Sequence, residues 1–409
     1  MKKIKYIILI LTAALIFHSC DSWLYLEPED GIIRQEYWQS QEDVHAAVMG
    51  AYASLLGNSG GGGYSIPELV FIWGEIRADM IVPHRSTTDF NYVYNHDILP
   101  TNGICRWNAF YRTINYCNTV LEFAPEVQEI DPAFTMEELN QYEAEMKGLR
   151  ALMYFYLVRT FGEVPLQLNA TTNDGQDFNI AKSSMNQVFS QIKRDLLDAE
   201  ENAPIAFGDA ASNKGRMTKY VVNTIQTDVY LWTEQYDSSI FFANKVINSG
   251  RYGLVAGDDK EEWFKRLYVD GNSVEGIFEL QFSQDKLNPY FDMLKRDKYF
   301  KASAAMMDNF FPVDPTLPPD SADIRADQAS YRSGDNFTIY KYVGKTREEF
   351  RTPSESYANF PIYRYADILM MKAEALNQMG QTQEALRLVR MIRNRANASE
   401  NTAINTTDQ

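Results

Sequence analysis

Cysteine is scarce, at three residues in 409. That excludes the disulfide framework on which small secreted modules depend. Histidine is nearly as scarce, at four, and no H-E-x-x-H or C-x-x-C occurs. Zincin and thioredoxin-like chemistry therefore have no motif to rest on. Positive charge is in deficit: 39 Lys and Arg stand against 55 Asp and Glu, a net charge of −16. Such a chain repels phosphate backbones and anionic lipid, which argues against general nucleic-acid binding and peripheral membrane docking. No P-loop is present, because Ile339 stands where Gly344-Lys345-Thr346 would need its first glycine. The run Gly60 to Gly63 lacks a following Lys-Ser/Thr and reads as a flexible turn.

What is abundant is aromatic: 25 Tyr, 23 Phe and 6 Trp, in a chain that is 45% hydrophobic and 23% charged. This is ordinary globular composition, with a surplus of rings for burial or for flat apolar ligands. The N-terminus, MKKIKYIILILTAALIFHSC, sets three lysines before a nearly unbroken apolar run from Tyr6 to Phe17. The run is short for a membrane span, which needs about 20 residues, and fits a secretory signal. Ser19-Cys20 closes it as in a lipoprotein signal, so residues 1–19 are expected to be removed and Cys20 lipidated. Plain signal cleavage and an uncleaved anchor are the alternatives. Cys105 and Cys117, if one helix carried both, would lie about 18 Å apart. They could not bridge within it, and read as buried small hydrophobes.

Beyond a tether over 20–39, the chain predicts helices in pairs. Ser40 with Asp43, Thr135 with Glu138, and Ser184 with Gln187 spell helix N-termini. Thr218 and Asp237 are further expected caps. Residues 64–100, interrupted by Pro67, Pro83 and Pro100, read as irregular or extended. Helix pairs recur near 104–161, 185–249 and 364–396. The last pair carries Ala373-Glu-Ala-Leu376, then Gly380, then Glu384-Ala-Leu386. This is the tetratricopeptide pattern, here interrupted by long insertions. The expected division is 40–250, an insertion over 251–363 with short strands at 276–282 and 337–343, a last pair over 364–397, and a polar tail over 398–409. The fold class is mostly α: a tetratricopeptide-like helix-pair scaffold with irregular α+β insertions.

Five stretches resemble, in order, the SusD/RagB family of outer-membrane nutrient-uptake lipoproteins. They are Asp21 to Pro28 (DSWLYLEP); Arg150 to Pro165 (RALMYFYLVRTFGEVP); Val229 to Trp232 with Ala243 to Tyr252; Glu275 to Ser283 (EGIFELQFS); and Tyr363 to Leu376 (YRYADILMMKAEAL). Family members usually continue well beyond the last repeat, so a truncated or short variant is expected. The resemblance implies a SusD-like fold held to the outer membrane by the Cys20 lipid. It implies a lid over a SusC-like TonB-dependent transporter, capture of a glycan or other oligomeric nutrient, and no catalysis or cofactor.

Glycan capture needs rings to stack on sugar C–H faces and polar groups to replace lost water bonds. Two segments offer both. In 84–95, Arg85 and Asn95 flank Phe90, Tyr92 and Tyr94, which would share one face of a strand. In 288–337, Tyr290, Phe291, Tyr331 and Asn336 are the corresponding residues. The competing reading for both is core packing. Trp73, Trp107 and Trp232 read as core. His84 and His96 match no metal spacing. Asp314, Asp320 and Asp323 lack the loop of an EF-hand. A peptide-binding member of the family and a repeat adaptor without nutrient are the alternatives. Exposed, clustered rings would separate glycan capture from the adaptor.

Overall fold

The computed structural model describes residues 37–57, 63–85, 87–172, 176, 179–312 and 322–398. The signal peptide, Cys20, most of the tether, Asp314, Asp320 and the tail beyond Ala398 lie outside the described residues.

Helix α1 (Gln41–Ala53) opens on the predicted capping box of Ser40 and Asp43. Helix α2 (Ile66–Glu75) falls where irregular structure was expected. Pro67 sits in its first turn, where a missing N–H costs nothing, so the proline starts the helix and does not break it. Strand β1 (Ile81–Pro83) and helix α3 (Thr88–Tyr94) follow. Helices α4 (Asn108–Ile130) and α5 (Met136–Phe161) form the first long pair. Thr135 and Glu138 cap α5, and Gly162 ends it at φ +73, a conformation that favours glycine. Cys105 lies before α4 and Cys117 within it, so one helix does not carry both; each thiol is free.

Helix α6 (Met185–Asn202) uses the Ser184–Gln187 box. A short α7 (Ala210–Gly215) precedes α8 (Lys219–Trp232), capped by Thr218. In α9 (Tyr236–Asn248), Asp237 lies in the first turn, and Gln235 occupies the cap position. The insertion holds α10 (Lys260–Phe264), a π-helical turn, β2 (Gly276–Leu280), β3 (Phe300–Ala302), α11 (Ala304–Phe310), β4 (Tyr331–Arg332), β5 (Thr338–Ile339) and β6 (Phe360–Arg364). Helices α12 (Tyr365–Gln378) and α13 (Thr382–Arg395) close the chain, with Gly380 in the turn between them.

Each scaffold helix packs on the next: α4 on α5, α5 on α6, α6 on α8, α8 on α9, α9 on α12 and α12 on α13. The insertion therefore leaves the helix stack after α9 and returns to it at α12. Antiparallel pairing of β2 with β6 closes this excursion, because β6 runs directly into α12. A second antiparallel pair, β1 with β3, ties the segment after α2 to the insertion through Ile81–Ala302 and Pro83–Phe300.

Most buried apolar side chains form one core, with Trp263, Tyr154, Tyr290 and Phe110 among its largest members. Buried charges join the helices. Arg150 on α5 makes a bidentate pair with Asp195 on α6, with N–H···O distances of 2.9 and 2.8 Å. Arg216 pairs with Glu145 at 2.6 and 2.9 Å, and the Tyr52 hydroxyl donates to the same carboxylate at 2.7 Å. Burial nevertheless raises the Glu145 pKa.

Candidate functional site

The two segments expected to bind ligand come together. The β1–β3 pair continues through His84, whose N–H donates to the Tyr299 carbonyl at 2.8 Å. The side chains differ from expectation, however, because 88–94 is a helix and not a strand. Thr87 caps it, its hydroxyl accepting the Phe90 N–H at 3.3 Å. At helical spacing Phe90 and Tyr94 share a face and Tyr92 turns away from them. The expected three-ring strip does not form.

Phe90 is 1% exposed, its ring 4.7 Å from Phe300 and 5.6 Å from Tyr299. Tyr92 and Tyr94 are half-buried, and Asn95 is exposed at the helix end. Tyr290 is fully buried, stacked 4.9 Å from Tyr342, with its hydroxyl donating to the Pro67 carbonyl. Tyr331 is 7% exposed and stacks on Phe337. Phe90, Tyr290 and Tyr331 are thus core side chains, covered by rings from neighbouring elements. Phe291 is half-buried. Asn336 is exposed, and its amide oxygen accepts from Lys301 at 3.3 Å. Arg85 is exposed, lies 3.7 Å from Asp297 and rests over the Tyr299 ring.

Beside α3 opens a cleft of about 320 Å³. Trp73 comes from α2, Val93 from α3, Trp107 from the start of α4, and Thr160 and Phe161 from the end of α5. The loop between α3 and α4 adds Ile98, Leu99, Pro100, Ile104 and Cys105, and Arg77 completes the lining. Trp107 stacks on Phe161 at 5.7 Å, and Phe161 meets Trp73 edge-on at 5.1 Å. The Trp73 indole N–H donates to the Ile104 carbonyl at 2.8 Å, which fixes the ring. All three rings are half-buried, so each keeps accessible surface. Ile98 and Leu99 are exposed at the rim. A rigid aromatic cleft with a few polar groups is suited to stacking a flat, partly apolar ligand.

Sequence reasoning assigned Trp73, Trp107 and Trp232 to the core; Trp232 is instead exposed at the end of α8, and the cleft of Trp73 and Trp107 was missed. For Trp107 the signal was the helix start: α4 begins at Asn108, so Trp107 is its cap residue at the cleft and not part of an inward helix face. Burial, then the charge of Asp89, raises the Cys105 thiol pKa. A second cavity, of about 410 Å³, also borders α2 and contains Glu75, Arg159, Asp228, Lys341, Arg364 and Asp367. Some of these charges have partners. Arg159 lies 3.3 Å from Asp228, which also accepts from the Tyr363 hydroxyl, and Arg364 lies 3.5 Å from Glu275. This is a polar joint between scaffold and insertion.

Among the described residues no group of three His, Cys, Asp or Glu is placed to hold a metal ion, and Asp323 is engaged by Arg325 at 2.6 Å. No helix among them is long and apolar enough to cross a membrane. Gly57-Asn-Ser59-Gly-Gly61 spells the G-x-S-x-G of a nucleophile elbow. It follows helix α1, where an elbow requires a strand, and residues 58–62 lie outside the described residues.

A stack of helix pairs with an insertion returning over it, and an aromatic cleft at its side, defines a mostly helical, tetratricopeptide-like protein. Residues 260–409 match the family described as "SusD family", and residues 71–231 match the one described as "Starch-binding associating with outer membrane". Between them these matches cover most of the chain, and it belongs to the SusD family. SusD-like protein P38 of Formosa agariphila is 26% identical, across 96% of this chain and 82% of its own length. A SusD-like protein of Bacteroides ovatus is 28% identical over 68% of this chain and 49% of its own. The fold is similar to that of a SusD superfamily protein from Bacteroides vulgatus, with TM-score 0.71, 22% identity, and coverage of 89% of this chain and 81% of that one. It is also similar to a SusD-like carbohydrate binding protein from Bacteroides fragilis, with TM-score 0.68, 20% identity, and coverage of 88% and 79%.

Proposed function

We propose that this protein is a non-catalytic lipoprotein on the outer face of the outer membrane. It captures an extracellular glycan and delivers it to a SusC-like TonB-dependent transporter. The observation that carries the glycan reading is the open cleft with Trp73, Trp107 and Phe161 presented at half-burial. Sugar C–H faces stack on such rings, while hydroxyls find Arg77 and Thr160 in the same lining. Tyr92 and Tyr94 on α3, and Asn95 at its end, keep accessible surface next to the lining residue Val93. The family description and the carbohydrate-binding relative of similar fold support the class of ligand.

The test is calorimetric titration of the full chain in neutral detergent against oligosaccharides and peptide digests. Binding of an oligosaccharide class, weakened at least tenfold in Trp107→Ala, is the expected result. Binding of peptides alone would replace this reading with the peptide-binding one. Silence towards both, from protein shown folded by circular dichroism, would favour the adaptor. The anchor is tested separately: Cys20→Ala should release the protein from the cell surface and abolish uptake.

A further inference from the structure

Positive charge collects beside α3, although the chain as a whole is strongly acidic. His84, Arg85, Lys298 and Lys301 line a ledge where β1 meets β3. Two carboxylates answer these cations. Asp297 stands 3.7 Å from Arg85, too long for a close pair. Asp335 is shared: its carboxylate is 2.8 Å from the Lys295 ammonium, 3.6 Å from Lys298, and accepts from the Thr338 hydroxyl. Burial works against ionisation of Asp335, yet these bonds hold its carboxyl below the ordinary range. Of the neighbouring acids, one is neutralised by a cation and two bond neutral donors. Asp292 is paired with Arg296, Glu68 binds Ser65 at the start of α2, and Asp89 accepts the Gly103 N–H.

Within 4 Å, Arg85, Lys295, Lys298 and Lys301 meet only two carboxylates among the described residues, those of Asp297 and Asp335. Lys301 has only a neutral amide oxygen, that of Asn336, as its hydrogen-bond acceptor among the described residues. The imidazole of His84 registers the surplus: its pKa is lowered by burial first, then by Lys298 and Lys301. At physiological salt the screening length is about 8 Å. The distant carboxylates of the acidic body are screened there, and cations in direct contact decide what the ledge attracts.

We propose that this ledge is an anion subsite and that the captured glycan carries carboxylate or sulfate groups, which Arg85, Lys298 and Lys301 engage. The inference rests on the glycan-capture reading of the cleft and names its substrate class. Helix α3 borders both features, Val93 lining the cleft and Phe90, one turn before it, packing under the ledge. Stacking in the cleft and ion pairing on the ledge then act on one chain.

The test uses the ledge's own reporter. Full-length protein with ¹³C-labelled histidine, in neutral detergent, is titrated with inorganic sulfate and, separately, with galacturonate. The His84 signal is assigned by its loss in His84→Gln. An anion seated on the ledge should raise the His84 midpoint by about half a pH unit and leave His45 and His96 unmoved. Lys301→Gln should reduce the response and Lys298→Gln/Lys301→Gln should abolish it. Lys301→Gln alone changes one partly exposed strand residue, so its result stands even if the double variant misfolds. A response to sulfate alone assigns sulfated glycans; a response to galacturonate alone assigns uronates. Silence of His84 towards both anions, or an undiminished response in Lys301→Gln, overturns the proposal. Failure of the glycan reading itself appears separately, as absence of oligosaccharide binding at the Trp107 cleft.

Discussion

Replacing Asp195 by alanine should be among the most damaging single changes in the scaffold. Arg150 and Asp195 are 7% and 2% exposed. Arg150 spends Nε and Nη2 on the two carboxylate oxygens and Nη1 on the Asn118 side-chain oxygen at 2.8 Å. Gln191 donates to the same carboxylate at 2.9 Å. Asn118 in turn donates to the carbonyls of Gln167 and Asn169. One guanidinium therefore joins α4, α5, α6 and the segment after α5. Asp195→Ala leaves a buried guanidinium with only neutral acceptors, the Asn118 oxygen and the Leu168 carbonyl, and should cost about 3–5 kcal/mol. The double change Arg150→Met/Asp195→Leu removes both charges. It leaves the Asn118 oxygen unsatisfied, at about 1–3 kcal/mol, so it should be milder than the single change. Urea unfolding followed by circular dichroism gives the ordering from the midpoints, provided the slope is unchanged. A loss below about 1 kcal/mol in Asp195→Ala, or a double variant less stable than the single, would refute the reasoning.

Lys214 offers a pH-dependent counterpart. Burial lowers its pKa to about 8, against the opposing pull of Glu279, while its ammonium donates to the Gly276 carbonyl at 2.5 Å. The unfolded chain binds the extra proton between about pH 8 and the ordinary lysine value near 10.4. Stability from this group is therefore present above that value and lost as pH falls through about 8, on the order of 3 kcal/mol in all. Lys214→Met should flatten this slope in unfolding measured from pH 7.5 to 10.5, and an unchanged slope would contradict the assignment. Gly257→Ala would place a Cβ 1.8 Å from the Arg395 carbonyl oxygen, a backbone atom at the end of α13. Faster hydrogen exchange in α13 and a loss above about 2 kcal/mol are expected, and wild-type exchange would count against the packing described. Cys105 lines the cleft, whereas Cys117 is fully buried with its pKa pushed up to about 12 by burial. Iodoacetamide should modify Cys105 first, and a bound oligosaccharide should slow that reaction. Equal rates with and without ligand would move the site away from the cleft.

The helix starts were legible because capping is a local transaction. Ser40 with Asp43, Thr135 with Glu138 and Ser184 with Gln187 each satisfy backbone N–H groups within four residues, whatever the rest of the chain does. The helix-pair repeat was legible for a related reason: the small residues Ala373, Ala375 and Ala385 fall on buried positions. Helices α2 and α3 were not legible. Pro67 was read as a break, although the first turn of a helix has no use for the missing N–H. The alternation Phe90-Asn-Tyr92-Val-Tyr94 has the period of a strand, yet Thr87 caps it and Phe300 covers Phe90 from a residue more than two hundred positions away. Local pattern lost there to a contact that the local pattern does not contain.

The same difference separates the expected ligand contacts from those the fold offers. A ring becomes a platform when one face is covered and the other is left open, and composition is silent on which face that is. Tyr290 and Tyr299 stand nine positions apart in one insertion. Tyr290 is stacked between Tyr342 and Phe360 and closed to ligand, whereas Tyr299 is half-buried beneath Arg85. Trp107 is open because α4 begins one residue after it, and Trp73 because its indole is pinned to the Ile104 carbonyl at the cleft wall. What the segments 84–95 and 288–337 do share is position, since β1 pairs with β3 and brings them to one edge of the molecule. That pairing sets α3 beside both an aromatic cleft and a cationic ledge. A glycan reaching both would draw its affinity from the open rings of the cleft and its charge selectivity from Arg85, Lys298 and Lys301.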